Sequence, residues 1–285
     1  MCGIVGYVGN EAPQGIIIEG LKKLEYRGYD SAGIAVVNDG KIKLRKHVGE
    51  IVNLEKLIGK ENLGGHVGIG HTRWATHGAP SDVNSHPHMS NDNRIALVHN
   101  GTVENYVEIR EQLEKEGFTF KCDTDSEVAA VLFGKYYNEL GDLKATMDKV
   151  THEMTGTFAL AAIAEDQPEK FVAYRKNAPL IVGKGNGCNF VASDFSALLK
   201  YTKDVYLLET GDTVVLTPDN VTIYDESGKE IKRETMHISW DESVAEKGKY
   251  EHFMLKEIFD QPKAIEETLD RNLSEDGRVS LYDMT

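Results

Sequence analysis

Short apolar runs rich in β-branched residues alternate along this chain with segments whose apolar positions recur every three to four residues. Runs 3–8, 32–37, 41–46, 67–71 and 95–99 predict strands, as do 157–164, 170–174, 180–183, 189–192, 205–208, 213–216 and 221–225. Helical spacing falls at 14–24, 51–58, 107–116, 126–140 and 143–154. Strands crowd the start and the second half, with helices between them and no regular βαβ alternation. That pattern points to an α+β fold of antiparallel sheets covered by helices, not to a doubly wound parallel sheet.

The pattern changes near residue 240. Residues 241–250 are polar and aperiodic, as a linker would be. Helical spacing resumes over 251–273, interrupted at Pro262, and 274–285 has no element to pack it. The expected organisation is one domain over 1–240, followed at 241–285 by a linker and the start of a further half whose remainder is missing. Phe253, Met254, Leu255, Ile258 and Phe259 are then expected to be exposed, awaiting that half.

Composition narrows the class. With 285 residues, 40% hydrophobic and 27% charged, the chain has the make-up of a globular protein with a substantial core. No run approaches the roughly 18 apolar residues that cross a bilayer, and the N-terminus lacks a secretory pattern. Three widely spaced cysteines (Cys2, Cys122, Cys188) argue against a disulfide framework and fit a cytoplasmic setting. A net charge of −14 disfavours a nucleic-acid partner. The last 45 residues, with 12 acidic and 6 basic side chains, supply −6 of that charge.

Four stretches carry candidate chemistry. Cys2 directly follows the initiator methionine and precedes a strand. If Met1 is removed, its α-amine, with a reference pKa of about 7.7–8.0, can act as base for its own thiol. In His71–Gly78, HTRWATHG, an arginine leaves a strand end into a glycine-containing loop, placed to grip a carboxylate. In LVHNG, residues 97–101, Asn100 and Gly101 offer two N–H donors to a developing oxyanion, although Asn-Gly is also a common turn. In CDTDSE, residues 122–127, Asp125 fits both a helix N-cap and a partner for an ammonium group. His71, His77, His86, His88 and His99 crowd one stretch, but their spacing is a poor match to metal sites. Neither a P-loop nor a nucleophile elbow appears.

MCGIVG at the start, LEYRGYDSAG at 24–33, HTRWATHG, HNG and DTDSE, in that order, resemble one family closely. They are similar to the glutaminase domain of the glutamine–fructose-6-phosphate aminotransferases, class II glutamine amidotransferases of the N-terminal nucleophile hydrolase superfamily. The resemblance covers 2 to about 240, and HFMLKEIFDQP, 252–262, is similar to the stretch leading into the sugar-isomerase half. It implies a four-layer αββα sandwich of two antiparallel sheets.

The same resemblance implies roles. Cys2 would attack the side-chain amide of L-glutamine, giving a γ-glutamyl thioester and ammonia, with its α-amine shuttling protons. Asn100 and the Gly101 N–H would form the oxyanion hole. Arg73 would bind the α-carboxylate and Asp125 the α-ammonium, while Trp74, Thr76 and His77 would lie on a loop closing over the substrate. No metal or organic cofactor is implied. Fructose 6-phosphate would be a partner only through the missing half, and the complete enzyme would be a cytoplasmic homo-oligomer. An amidotransferase with another acceptor, an amide hydrolase of the same superfamily and a non-catalytic binding module are the competing classes.

Overall fold

The computed structural model describes residues 2–239, 249–250, 253–274 and 277–279. In chain order its first elements are β1 (Gly3–Gly9), α1 (Pro13–Leu24), β2 (Ser31–Asn38), β3 (Lys41–Val48), α2 (Ile51–Ile58), β4 (Val67–Arg73), β5 (His88–Met89) and β6 (Ile95–Val103). Then come α3 (Tyr106–Lys115), α4 (Asp125–Leu140), α5 (Leu143–Glu153), β7 (Gly156–Ala164), β8 (Phe171–Lys176), β9 (Ile181–Lys184) and β10 (Cys188–Ala192). The last are β11 (Asp204–Leu207), β12 (Thr213–Leu216), β13 (Val221–Tyr224), β14 (Glu230–Ile231), β15 (Met236–His237) and α6 (Phe253–Asn272). All twelve strands and six helices anticipated from the pattern are present, with ends shifted by a residue or two except in β6, which runs four residues beyond the expected 95–99. The pattern misses β5, β14 and β15, whose two residues each are too few to show a period.

Two antiparallel sheets result, ordered β15-β11-β9-β10-β1-β4-β2-β3 and β14-β13-β12-β8-β7-β6-β5. Their facing sides bury Ile4, Val8 and Ile69 of the first against Val98, Ala161 and Phe171 of the second. The outer face of the first sheet packs on α1 and α2 through Val5, Ile17, Leu21 and Ile34. The outer face of the second packs on α3, α4 and α5 through Leu97, Phe133, Met147 and Phe158. The layers therefore run α, β, β, α.

Side-chain alternation places the chemistry. On β1, Ile4 and Val8 face the other sheet while Val5 and Tyr7 face α1, so Cys2, one step before the strand, continues the inter-sheet row. On β4 the row of Val67 and Ile69 continues through His71 to Arg73. On β6 the row of Ala96 and Val98 continues to Asn100, while His99 falls on the α4 side. Gly70, on the other face of β4, lets α1 approach: an added Cβ would lie 2.3 Å from Ile17 Cγ2.

Residues 1–240 and 241–285 form separate compact units. In the second, α6 is continuous through Pro262, where the sequence predicts an interruption. A proline in a helix removes one N–H donor and kinks the axis, but the bonds on either side persist. Met254, Leu255, Ile258 and Phe259 are exposed there. Residues 251–252, within the predicted helix, and the Phe253 side chain lie outside what is described. No described helix is long and apolar enough to cross a membrane.

Candidate active site

Cys2, Arg73, Trp74, Thr76, His77, Gly101 and Asp125 line one cleft, together with His86, His99, Thr124 and Ser126. It opens where β1 begins and where β4, β6 and the N-terminus of α4 meet. Of the eight residues to which the resemblance gives roles, only Asn100 is not part of the lining. It lies beneath, 6% exposed, and donates from Nδ2 to the Cys2 carbonyl oxygen at 3.2 Å.

The Cys2 sulfur accepts from the Trp74 N–H at 3.2 Å and lies 3.4 Å from the Trp74 carbonyl oxygen. Burial pushes the thiol pKa up, against the lowering effects of the Trp74 bond and of positive charge nearby. Among the described residues no side-chain base hydrogen-bonds this sulfur. Arg27 Nε donates to the Cys2 carbonyl at 3.3 Å, fixing the residue from the other side.

Arg73 is 3% exposed. Its Nη2 donates to the carbonyls of His77 and Gly78, folding the loop that follows β4 back onto the guanidinium. Its Nη1 is buried with no hydrogen-bond partner. The Asp30 carboxylate pins the same loop by accepting from the Ala75 N–H at 2.7 Å. Trp74 is 46% exposed and meets the Tyr29 ring edge-on, with centroids 5.9 Å apart.

Asp125 is buried at the first turn of α4. Its Oδ2 accepts from the Val103 N–H at 2.9 Å, tying the helix to the end of β6, and Ser126 Oγ donates to its Oδ1 at 3.2 Å. The N-cap is Thr124, not Asp125: Thr124 Oγ1 accepts from the Glu127 N–H, and the Glu127 carboxylate reaches back to the N–H groups of Lys121 and Cys122. Relieved of capping, Asp125 turns to the cleft and presents its charge where the helix dipole favours it.

Four histidines are packed together here, His86 and His99 lining the cleft and His71 and His88 behind it. Rings of His71 and His86 stack at 4.1 Å, and His86 lies 4.8 Å from His88 and 6.5 Å from His99. Burial pushes all four below the usual imidazole range, His71 to about 3. Among the described residues no three His, Cys, Asp or Glu side chains group as a metal site. Three cleft atoms are buried and unpartnered: Arg73 Nη1, His77 Nδ1 and His99 Nε2. The cleft thus presents a thiol, an unpaired cationic donor and a carboxylate within one small space.

Comparison with known proteins agrees in kind. The model of the glutamine amidotransferase domain matches residues 59–227. The chain belongs to the glutamine amidotransferase family. Among curated proteins, the glutamine–fructose-6-phosphate aminotransferase (isomerizing) of Clostridium perfringens is 52% identical over 285 residues, all of this chain and 46% of that protein. That of Aquifex aeolicus is 47% identical over 279 residues, 98% of this chain and 47% of its own length. The chain therefore spans about half the length of the curated relatives it matches. Among solved structures, the glutamine phosphoribosylpyrophosphate amidotransferase of B. subtilis, complexed with ADP and GMP, superposes with a TM-score of 0.68 at 26% identity. That match covers 80% of this chain and 50% of the other. These neighbours carry the N-terminal nucleophile hydrolase arrangement of two antiparallel sheets between helices.

Sequence reasoning left Ser193, Thr124 and His71 without roles in the site, and Arg27 and Asp30 without a stated function inside LEYRGYDSAG. The last two carried a signal, since charged residues in an otherwise apolar and glycine-rich stretch ask for buried partners. Ser193 follows β10, far from every motif, and nothing local marks it.

Proposed function

We propose that this amidotransferase chain is the glutaminase half of a glutamine–fructose-6-phosphate aminotransferase, with 1–240 as the catalytic domain and 241–285 as linker and entry to a sugar-isomerase half. Once Met1 is removed, the Cys2 α-amine takes the thiol proton and the sulfur attacks the side-chain amide carbon of glutamine. The oxyanion is held by the Gly101 N–H and by Asn100 Nδ2, which exchanges its resting bond to the Cys2 carbonyl for the oxyanion and keeps the one to Ser193 Oγ. The amine then protonates the departing nitrogen, the C–N bond breaks, and ammonia and a γ-glutamyl thioester result. Water, deprotonated by the same amine, cleaves the thioester to glutamate and regenerates the thiol. Arg73 holds the α-carboxylate, Asp125 the α-ammonium, and Trp74, Thr76 and His77 cover the bound substrate.

One observation carries the reading: Arg73 Nη1 is a buried cationic donor without a partner, in the same cleft as the Cys2 sulfur and the Asp125 carboxylate. A buried, unpaired charge of this kind is costly unless an anion completes it. An α-amino acid brings the carboxylate for Arg73 and the ammonium for Asp125, leaving its side chain for Cys2. The absence of a side-chain base at the sulfur among the described residues supports the α-amine as base. The names of the relatives near 50% identity support fructose 6-phosphate as acceptor of the ammonia in the whole protein, which we place in the cytoplasm as a homo-oligomer.

The test is substrate selectivity. The Met1-processed chain should release ammonia from free glutamine, and at least about 10²-fold less efficiently from N-acetylglutamine or from the analogue lacking the α-carboxylate. Equal turnover of all three would contradict amino-acid recognition by Arg73 and Asp125.

A further inference from the structure

The Asn100 amide has two faces of nearly equal shape, and only one of them supplies N–H groups toward Cys2. The buried ring of His71 settles which face that is. His71 Nε2 lies 2.9 Å from Asn100 Oδ1 and 3.0 Å from the His99 carbonyl oxygen. The carbonyl can only accept, so Nε2 must carry the proton, and the same N–H then selects the oxygen end of the amide. Nδ1 is left bare, buried and without a partner, against the stacked ring of His86.

The nitrogen end is held from the opposite side. Asn100 Nδ2 donates to Ser193 Oγ at 2.9 Å and to the Cys2 carbonyl at 3.2 Å. Ser193 Oγ also accepts from the Ile4 N–H at 2.8 Å, tying the start of β1 to the same amide. Reversing the amide would set its N–H₂ against the His71 N–H and its oxygen against the Cys2 carbonyl. Both contacts would be repulsive in a site where solvent cannot compensate.

We propose that His71 is a positioning residue for glutamine hydrolysis: as a fixed Nε2–H donor it orients the Asn100 amide so that Nδ2 faces the Cys2 centre. This rests on Asn100 being the oxyanion donor. His71 neither touches substrate nor transfers a proton; it acts through Asn100 alone.

Three variants of the Met1-processed chain test this: Asn100→Ala, and His71→Gln and His71→Met, which fill similar volumes with and without an N–H donor. His71→Met should lose about 10–10²-fold in kcat with KM for glutamine within about threefold, while His71→Gln stays within about tenfold of the parent. Adding His71→Met to Asn100→Ala should cost little more than Asn100→Ala alone, because the group being positioned is already gone. The pH limbs of kcat should not move in either His71 variant. Full turnover in Asn100→Ala would remove the reading beneath the proposal. Loss in Asn100→Ala with full turnover in His71→Met, or full additivity in the double variant, would overturn the proposal alone. If His71→Met does not fold, His71→Gln decides: a folded protein with more than 10² lost from kcat contradicts an N–H positioning role.

Discussion

The Cys2 sulfur sits 3.2 Å from the backbone nitrogen of Trp74, the residue immediately after Arg73. The strand pairing of β1 with β4 creates this contact, with Gly3 opposite Thr72. Cys2 and Arg73 therefore fall opposite one another, one step beyond that pair, at the ends of neighbouring antiparallel strands. A slip of that register would separate them and turn the inter-sheet side chains outward.

Arg73→Gln should raise KM for glutamine by about 10–10²-fold with a smaller effect on kcat. A charge-assisted bond is worth about 1.5–3 kcal/mol, and the carboxylate is held alike in ground and transition states. Steady-state kinetics check it, and an unchanged KM would exclude Arg73 from substrate binding.

Gly101→Ala should destabilise the protein by about 2–4 kcal/mol and abolish turnover. Gly101 has φ of +123°, and a Cβ there would fall 2.0 Å from the Thr157 carbonyl oxygen across the β6–β7 pair. Denaturant melts and the ammonia assay read the two effects separately.

Stability should fall as pH drops from about 6.5 toward 3. His71, His86, His88 and His99 are neutral in the fold with pKa values below the unfolded value, so unfolding takes up protons in that window. Their contribution is complete above 6.5 and is lost as pH falls through the folded values. Each such histidine steepens the dependence by up to about 1.4 kcal/mol per pH unit. His71→Gln should make the slope of unfolding free energy against pH shallower by about one proton, and an unchanged slope would contradict its neutral burial.

Truncation after residue 240 should leave glutamine hydrolysis within about twofold of the longer chain, since every cleft residue lies before that point. A loss of more than tenfold in a folded truncate would mean that the catalytic domain extends further.

Much of this was legible in the sequence because the motifs are contiguous and sit at strand ends. The β-branched run after Cys2 marks β1, and HTRWATHG marks the exit of β4. Alternation along these strands already implies that His71 and Arg73 share a face. What the pattern does not reveal is register between distant strands. Asn100 of the second sheet meets Ser193 at the end of β10 in the first, and Arg27 of the turn after α1 meets Cys2, only through tertiary packing that no local period encodes. The sequence fits Asp125 both as an N-cap and as an ammonium partner, because Asp, Ser and Thr all cap helices well. Thr124 takes that position, and the Asp125 carboxylate lines the cleft instead.

The most direct test of the central claim is intact-mass analysis after labelling with a glutamine analogue that carries an electrophilic ketone in place of the side-chain amide. Protein lacking Met1 should gain one adduct, mapped to Cys2 and prevented by excess glutamine, while protein retaining Met1 should gain none. An adduct on Cys122 or Cys188, or equal labelling of Cys2 with Met1 attached, would contradict a terminal cysteine acting as nucleophile through its own amine.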